Sequence, residues 1–459
     1  MTTELKKGDI VEIELDNLAH GGECVGHFAD GLAVFVPGGI PGERVKIRIT
    51  VKKKNYARGE LLKVLQPVET RTEPVCSVAD GCGGCQLQHV DYQEQLLHKK
   101  QMVIDLLKRI GGFENIKVNE PIGVDYPFNY RNKAQFPLTK TEDKKIATGF
   151  YKKGSHNVVV NESCIIQHPL INRIVARTLA VLNDYEMSVY NERTHRGLLR
   201  HLVIRTGVCT NQALLTIVTS RKTFKDGKEI ASKLLQQIPE LVGVIQNINR
   251  EKTNVIMGGK NIILAGQDYY LDFIGNVRFK ISPFSFFQVN TLQTRKLYDI
   301  VKKYANLAGK ETVLDAYCGI GSIALYLADG AKKIIGIEVV VMAIEDAREN
   351  ARLNNIDNCQ FITGRVEEIL PRLVKDGLKP DLVVFDPPRK GLDERVIKVI
   401  NKIQPARIIY VSCNPATLSR DLARMKENYE IKAIQPVDMF PQTYHVETVV
   451  SLQLKEGIL

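Results

Sequence analysis

Cys413 lies in Ile408-Ile409-Tyr410-Val411-Ser412-Cys413-Asn414-Pro415, where an apolar β-run gives way to a turn. A thiol at the carboxyl end of a strand is placed to attack a substrate once its proton is lost. The competing reading is a small buried apolar residue, the usual fate of free cysteine. Glu447, in His445-Val446-Glu447-Thr448, could serve as a general base, with His445 as rival and an exposed strand carboxylate as the bland alternative. Upstream, Val313-Leu314-Asp315-Ala316-Tyr317-Cys318-Gly319-Ile320-Gly321 runs from an apolar strand into a glycine turn and a helix over Ser322–Leu327. Glycine there lets the backbone approach a ligand closely. The third glycine of the dinucleotide fingerprint is missing, which disfavours a pyrophosphate cradle. Glu338 ends the next strand, 23 residues after Asp315, where an acid can accept both ribose hydroxyl protons, and Asp386 ends a later strand. That ordered set points to S-adenosylmethionine rather than a dinucleotide.

The elements carrying these residues occupy segment 281–459, which alternates strands and helices as an open α/β sheet does. Strands are expected over Thr312–Asp315, Lys333–Glu338, Gln360–Thr363, Leu382–Asp386 and Arg407–Ser412. Two closing strands follow near Ile431–Val437 and Val446–Leu454, giving a Rossmann-like, seven-stranded methyltransferase sheet. Segment 1–66 reads as short strands (Asp9–Leu15, Leu32–Val36, Arg44–Val51) with glycine turns, best closed as a small OB-like β-barrel. In its third strand Arg44, Lys46, Arg48, Thr50 and Lys52 alternate with Val45, Ile47, Ile49 and Val51. The polar face is either a phosphate-tracking surface or a merely solvated one. Segment 67–280 mixes signals and is expected to be α+β. It holds a helix near 92–110 that could pack on the catalytic segment, strands at His201–Arg205 and Ala213–Thr219, and a helix at Gly227–Gln237. Basic and aromatic residues interleave at Tyr126–Lys133 and Gly149–Lys153, a pattern that suits unpaired bases and phosphate or a structural aromatic cluster.

With 459 residues, two or three domains are expected. The 63 basic and 52 acidic residues leave a formal charge of +11, compatible with a polyanionic partner. The N-terminus lacks an apolar export region, and no apolar run reaches the roughly 18 residues of a membrane span. A cytoplasmic protein is expected, in which nine cysteines argue for metal binding or catalysis rather than disulfides.

Two resemblances sharpen these readings. Gly21-Gly22, Gly26 and Val34-Phe35-Val36-Pro37-Gly38 resemble a TRAM domain, a small RNA-binding barrel. Phe284-Ser285-Phe286-Phe287-Gln288-Val289-Asn290, Asp315–Gly321, Phe385-Asp386-Pro387-Pro388-Arg389-Lys390-Gly391, Ser412-Cys413-Asn414-Pro415 and His445-Val446-Glu447-Thr448 together resemble the RNA (uracil-5-)-methyltransferase family. The branch acting on 23S ribosomal RNA is the nearest in kind. That resemblance implies that Gln288, Tyr317, Glu338 and Asp386 bind S-adenosylmethionine, that Cys413 is the nucleophile and that Glu447 is the base. Ser322 departs from the pattern, so no contact is assigned to it.

The chemistry agrees with the resemblance. Uracil C5 is too weak a nucleophile to take a methyl group from a sulfonium directly. A thiolate adding to C6 makes C5 nucleophilic, and a base must later remove the C5 proton. Arg389 is a candidate for easing ionisation of the thiol. The target uridine must lie in a loop or be flipped out.

The resemblance also implies that Cys76, Cys82, Cys85 and Cys164 hold a [4Fe–4S] cluster, with structural zinc as the alternative. Cys24, Cys209, Cys318 and Cys359 are expected to be packing residues. A tRNA uridine methyltransferase is the second reading. It is set lower because that branch is expected to match mainly at the C-terminus. An exocyclic-amine methyltransferase and a non-catalytic ribosome-assembly protein complete the alternatives. No membrane and no obligate protein partner are expected.

Overall fold

The computed structural model describes residues 5–19, 21–28, 31–161 and 163–457. Near the N-terminus, β1 (Ile10–Leu18), β2 (Glu23–His27), β3 (Ala33–Pro37), β4 (Arg44–Lys52) and β5 (Tyr56–Gln66) close into a barrel in the order β1-β2-β3-β5-β4. Closure removes the exposed edges that short strands would otherwise offer to other chains. In β4, Val45, Ile47 and Ile49 are buried while Arg44, Lys46 and Arg48 face outward. The outward row is not bare. Arg44 pairs with Glu12 of β1 at 2.9 Å and Arg48 with Glu60 of β5 at 3.4 Å.

Next, α1 (Tyr92–Arg109) starts at Asp91, whose carboxylate accepts the N–H groups of Gln93 and Glu94. Its residues Met102, Val103 and Leu107 are buried against the C-terminal sheet. The central sheet is built from β6 (Lys133–Lys140), β7 (Ile146–Tyr151), β8 (Val158–Val160), β9 (Leu199–Thr206), β10 (Ala213–Thr219), β11 (Leu241–Ile248) and β12 (Lys260–Gly266). Their order is β12-β11-β10-β9-β6-β7-β8. Two helices, α2 (Pro169–Asn183) and α3 (Gly227–Gln237), bury Ile171, Ile174, Ile230 and Leu234 against it. A hairpin of β13 (Tyr270–Ile274) and β14 (Val277–Ile281) leads into the last unit.

That unit contains β15 (Thr312–Ala316), β16 (Lys333–Glu338), β17 (Cys359–Thr363), β18 (Leu382–Phe385), β19 (Arg407–Ser412), β20 (Tyr429–Val437) and β21 (Glu447–Leu454). Their order is β17-β16-β15-β18-β19-β21-β20, parallel except for β21, which runs antiparallel to both neighbours. On one face lie α4 (Thr291–Ala305), α5 (Ser322–Leu327) and α6 (Val341–Leu353). On the other lie α1, α7 (Val366–Lys375), α8 (Glu394–Ile403) and α9 (Pro415–Met425). Helices on both faces explain why the inner strands are continuous apolar runs rather than alternating ones. The order reverses at β15, with β16 on one side and β18 on the other. In such sheets the crevice at the carboxyl ends of these strands is where a ligand fits. Among the described residues no helix is long and apolar enough to cross a membrane.

Candidate active site

A cavity of about 600 Å³ opens at that crevice, and Gln288, Tyr317, Glu338, Asp386, Cys413 and Glu447 all line it. The glycine turn after β15 forms one wall. Gly319 and Gly321 both adopt left-handed conformations, and a Cβ on Gly321 would come within 2.9 Å of the Phe361 ring. Tyr317 also has positive φ, a strained state for a bulky residue. It is held because the N–H groups of Tyr317 and Cys318 both donate to the Ile337 carbonyl, at 2.9 and 3.0 Å. Glu338 ends β16 and accepts the N–H groups of Gly319 (3.3 Å) and Val340 (2.9 Å), which fixes its carboxylate beside the turn. Asp315 caps α5 by accepting the Ala324 N–H at 3.0 Å.

The opposite wall follows from strand register. Ser412 of β19 pairs antiparallel with Thr448 of β21, so one residue further along Cys413 stands across from Glu447. Cys413 immediately precedes α9, whose first turn is secured by Asn414. The Asn414 side chain accepts the Ala416 N–H at 3.1 Å and donates to the Arg389 carbonyl at 3.0 Å. The cysteine backbone is therefore anchored to the Asp386–Arg389 loop.

Carboxylates crowd this pocket. Glu447 is only 3% exposed, and its Oε2 has no hydrogen-bond partner among the described residues. Burial, then the nearby Asp386, push its carboxyl up to about 8, while Arg389 opposes them. Burial alone raises Asp386 to about 7. Burial raises the Cys413 thiol to about 12, helped by Glu447 and Asp386 and opposed by Arg389. A cationic ligand fits such a site, because positive charge favours every one of these ionisations. One ring nitrogen of His445 is occupied. Its Nε2 lies 3.3 Å from Arg389 Nη2, and arginine can only donate, so that lone pair is engaged.

Some cavity residues were not legible as site residues. Tyr298 lines the pocket and shares a 2.8 Å hydrogen bond with Ser322, yet its spacing with Leu297 and Val301 reads as helix core. Phe440 comes from a loop without a motif. Cys209 is exposed, which corrects its assignment as a packing residue. It sits in a turn where its N–H donates to Asp272, and Cys24 and Cys318 are buried.

Cys359 is half-buried against the core. Cys76, Cys82, Cys85 and Cys164 line one separate cavity of about 310 Å³, together with Arg131 and Lys133. Burial pushes Cys85 up to about 12 and Cys164 up to about 11. Among the described residues no group of three or more His, Cys, Asp or Glu is arranged to hold a metal ion.

The sequence pattern of the tRNA (Uracil-5-)-methyltransferase family matches residues 91–455, and that of the TRAM domain matches residues 4–62. An uncharacterized RNA methyltransferase of Clostridium tetani is 44% identical over 447 residues, 97% of this chain and 96% of the relative. One from Halalkalibacterium halodurans is 43% identical, covering 98% of each. The structure of Pyrococcus abyssi tRNA (uracil-54, C5)-methyltransferase in complex with S-adenosyl-L-homocysteine matches with a TM-score of 0.77 and 28% identity. That match spans 96% of this chain and all of the archaeal one, which corrects the expectation that a tRNA enzyme would match mainly at the C-terminus. The chain belongs to the tRNA (uracil-5-)-methyltransferase family, with a TRAM domain at its N-terminal end.

Proposed function

We propose that the protein transfers a methyl group from S-adenosylmethionine to C5 of an unpaired uridine in 23S rRNA. The C5 chemistry is supported by the facing of Cys413 and Glu447 across β19 and β21, inside the cavity that Glu338, Asp386, Gln288 and Tyr317 also line, while the rRNA target rests on the sequence resemblance. Those four residues would hold S-adenosylmethionine, which supplies an electrophilic methyl group when bound. The Cys413 thiolate adds to C6, and the C5–C6 π pair moves toward C4–O4 as an enolate. The C5 pair takes the methyl group, the old S–CH3 bonding pair staying on the departing neutral thioether, and Glu447 then takes the C5 proton. The released pair re-forms C5=C6 and expels the Cys413 sulfur. Arg389 favours the charged form of both side chains.

A tRNA uridine is the second substrate reading, favoured by the full-length likeness to the archaeal tRNA enzyme. Assaying purified 23S rRNA fragments and tRNA side by side decides between them. Methylation of 23S rRNA alone is expected. Methylation of tRNA alone would replace the first reading with the second.

The cofactor reading makes its own prediction. Carboxyls raised to about 7 (Asp386) and about 8 (Glu447) attract a cation poorly while protonated, so affinity for S-adenosylmethionine should rise with pH up to about 8 and then level. S-adenosylhomocysteine lacks the sulfonium charge and should show a flatter profile. Calorimetry in two buffers of different ionisation enthalpy should detect proton release with the first ligand and less with the second. Affinity that falls with pH over that range would contradict this assignment.

The same reading gives Cys76, Cys82, Cys85 and Cys164 a [4Fe–4S] cluster. The four thiols line one common cavity, where each would bind a different iron of the cluster. Arg131 and Lys133 in the same wall would offset its negative charge. Protein purified without oxygen should carry stoichiometric iron and sulfide and visible absorption that a Cys85→Ser variant lacks. Stoichiometric zinc would overturn the cluster.

A further inference from the structure

A second cleft, of about 480 Å³, adjoins the first, because Phe440 and His445 line both. Its walls come from the barrel (Arg58), the cysteine loop (Gln86), the central region (Arg131 and Lys153) and the segment Phe440–His445. The join is close-packed. A Cβ on Gly22 of the barrel would lie 3.0 Å from Gln86 and 3.3 Å from Tyr444. The N–H groups of Gln86 and Leu87 both donate to the Gln442 carbonyl at 3.0 Å. From the other side, Lys99 of α1 donates to Asp438 at 2.7 Å and to the Phe440 carbonyl at 3.2 Å. The aromatic segment is thus held in place before any ligand arrives.

The chemistry of the cleft is that of a single-strand channel. The Tyr444 and His445 rings lie with centroids 4.1 Å apart, tilted 39° to each other, and Phe440 meets His445 edge-on at 5.8 Å. Three cations face one carboxylate: Glu23 holds both Arg58 (2.8 Å) and Lys153 (3.2 Å), while Arg131 adds a third charge. The outward row of β4 offers less, since Arg44 and Arg48 are each matched by a carboxylate of their own.

We propose that this cleft, rather than the β4 row, receives the single-stranded nucleotides adjoining the target uridine. Bases stack on the Tyr444–His445 pair while phosphates engage Arg58, Arg131 and Lys153, drawing the cations partly away from Glu23. The inference rests on the proposed RNA substrate and adds to it the path of the strand.

The test is equilibrium binding of a substrate stem-loop with single-stranded flanks, measured at several salt concentrations on the full-length protein. Lys153→Glu and Tyr444→Leu should each weaken binding about tenfold or more. Lys153→Ala should lower the salt slope by about one. S-adenosylmethionine affinity should not change in any of them. Lys46→Glu, on the exposed β4 row, should stay within about twofold of the parent. Normal binding by Lys153→Glu and Tyr444→Leu, or an equal loss in Lys46→Glu, would overturn the proposal. The two ideas fail separately. Protein that binds RNA through this cleft but transfers no methyl group removes the activity alone. Protein that methylates RNA while the cleft variants bind normally removes the cleft alone.

Discussion

Replacing Cys413 with alanine is expected to reduce methyl transfer by at least about 10³-fold while leaving the fold and RNA binding intact. The large effect follows because no step after C6 addition can begin without the sulfur. The small structural effect follows from the local architecture. Asn414 supplies the side-chain cap of α9, Pro415 occupies its first turn, and both remain in the variant. Cys413 itself is only partly buried, so losing its sulfur leaves no closed void in the core. Single-turnover transfer of labelled methyl to RNA, alongside a thermal melt, checks both halves. Full turnover by the alanine variant would instead favour methylation of an exocyclic amine, which needs no thiol.

Glu447→Gln carries the second large effect, and it differs in kind. Without a base the methylated adduct forms but its C5 proton stays, so protein covalently joined to ordinary uridine RNA should accumulate. Turnover should fall by about 10²- to 10⁴-fold. Denaturing gels of the variant mixed with RNA and S-adenosylmethionine should show a shifted band that the parent lacks. Stability should move the opposite way. The Glu447 carboxyl titrates near 8 in the folded protein against about 4.5 when exposed, so the folded state binds the extra proton between those values. Stability of the parent therefore falls as pH rises from about 4.5 to 8, as the buried group is forced to ionise. The glutamine variant lacks this titration. Its melting temperature should exceed that of the parent at pH 8 and draw level near pH 4.5. A variant that turns over normally, or that melts lower at pH 8, would remove Glu447 from the role of buried base.

How much of this could be read beforehand depends on the kind of strand. Leu382–Phe385 and Arg407–Ser412 are buried on both faces, and their unbroken apolar runs ending at Asp386 and Cys413 identify both the strands and the residues placed at their ends. The barrel is harder. Strands β2 and β5 are hidden in the sequence because each contains a glycine that reads as a turn, although crowding demands it. A Cβ on Gly26 would lie 2.1 Å from the Glu14 carbonyl oxygen, and one on Gly59 would lie 2.7 Å from the Ile47 side chain. Strand β6 hides behind Pro137. Its first half pairs with β9 and its second half with β7, and the proline sits at the changeover, where a ladder N–H is least needed. For α2 the signal existed: Pro169 in the first turn after the His168 cap.

At the site, residue types were legible but proximity was not. Cys413 and Glu447 are separated by α9 and all of β20, and only the antiparallel register of β21 brings them face to face. The motif pairs them by family pattern, while the sheet supplies the physical reason. The cations of β4 show the reverse case. Alternation correctly sets them on the outer face, but the carboxylates that answer them belong to β1 and β5, and pairing across strands is invisible in one strand's sequence.

The most direct measurement is mass spectrometry of the protein after incubation with S-adenosylmethionine and RNA carrying 5-fluorouridine at the target position. Fluorine cannot leave as a proton, so release of the enzyme is blocked after methyl transfer. Digestion is expected to yield one modified peptide, containing Cys413 joined to a methylated fluorouridine. A bond to any other cysteine, or methylated RNA with no protein attached, would contradict the account.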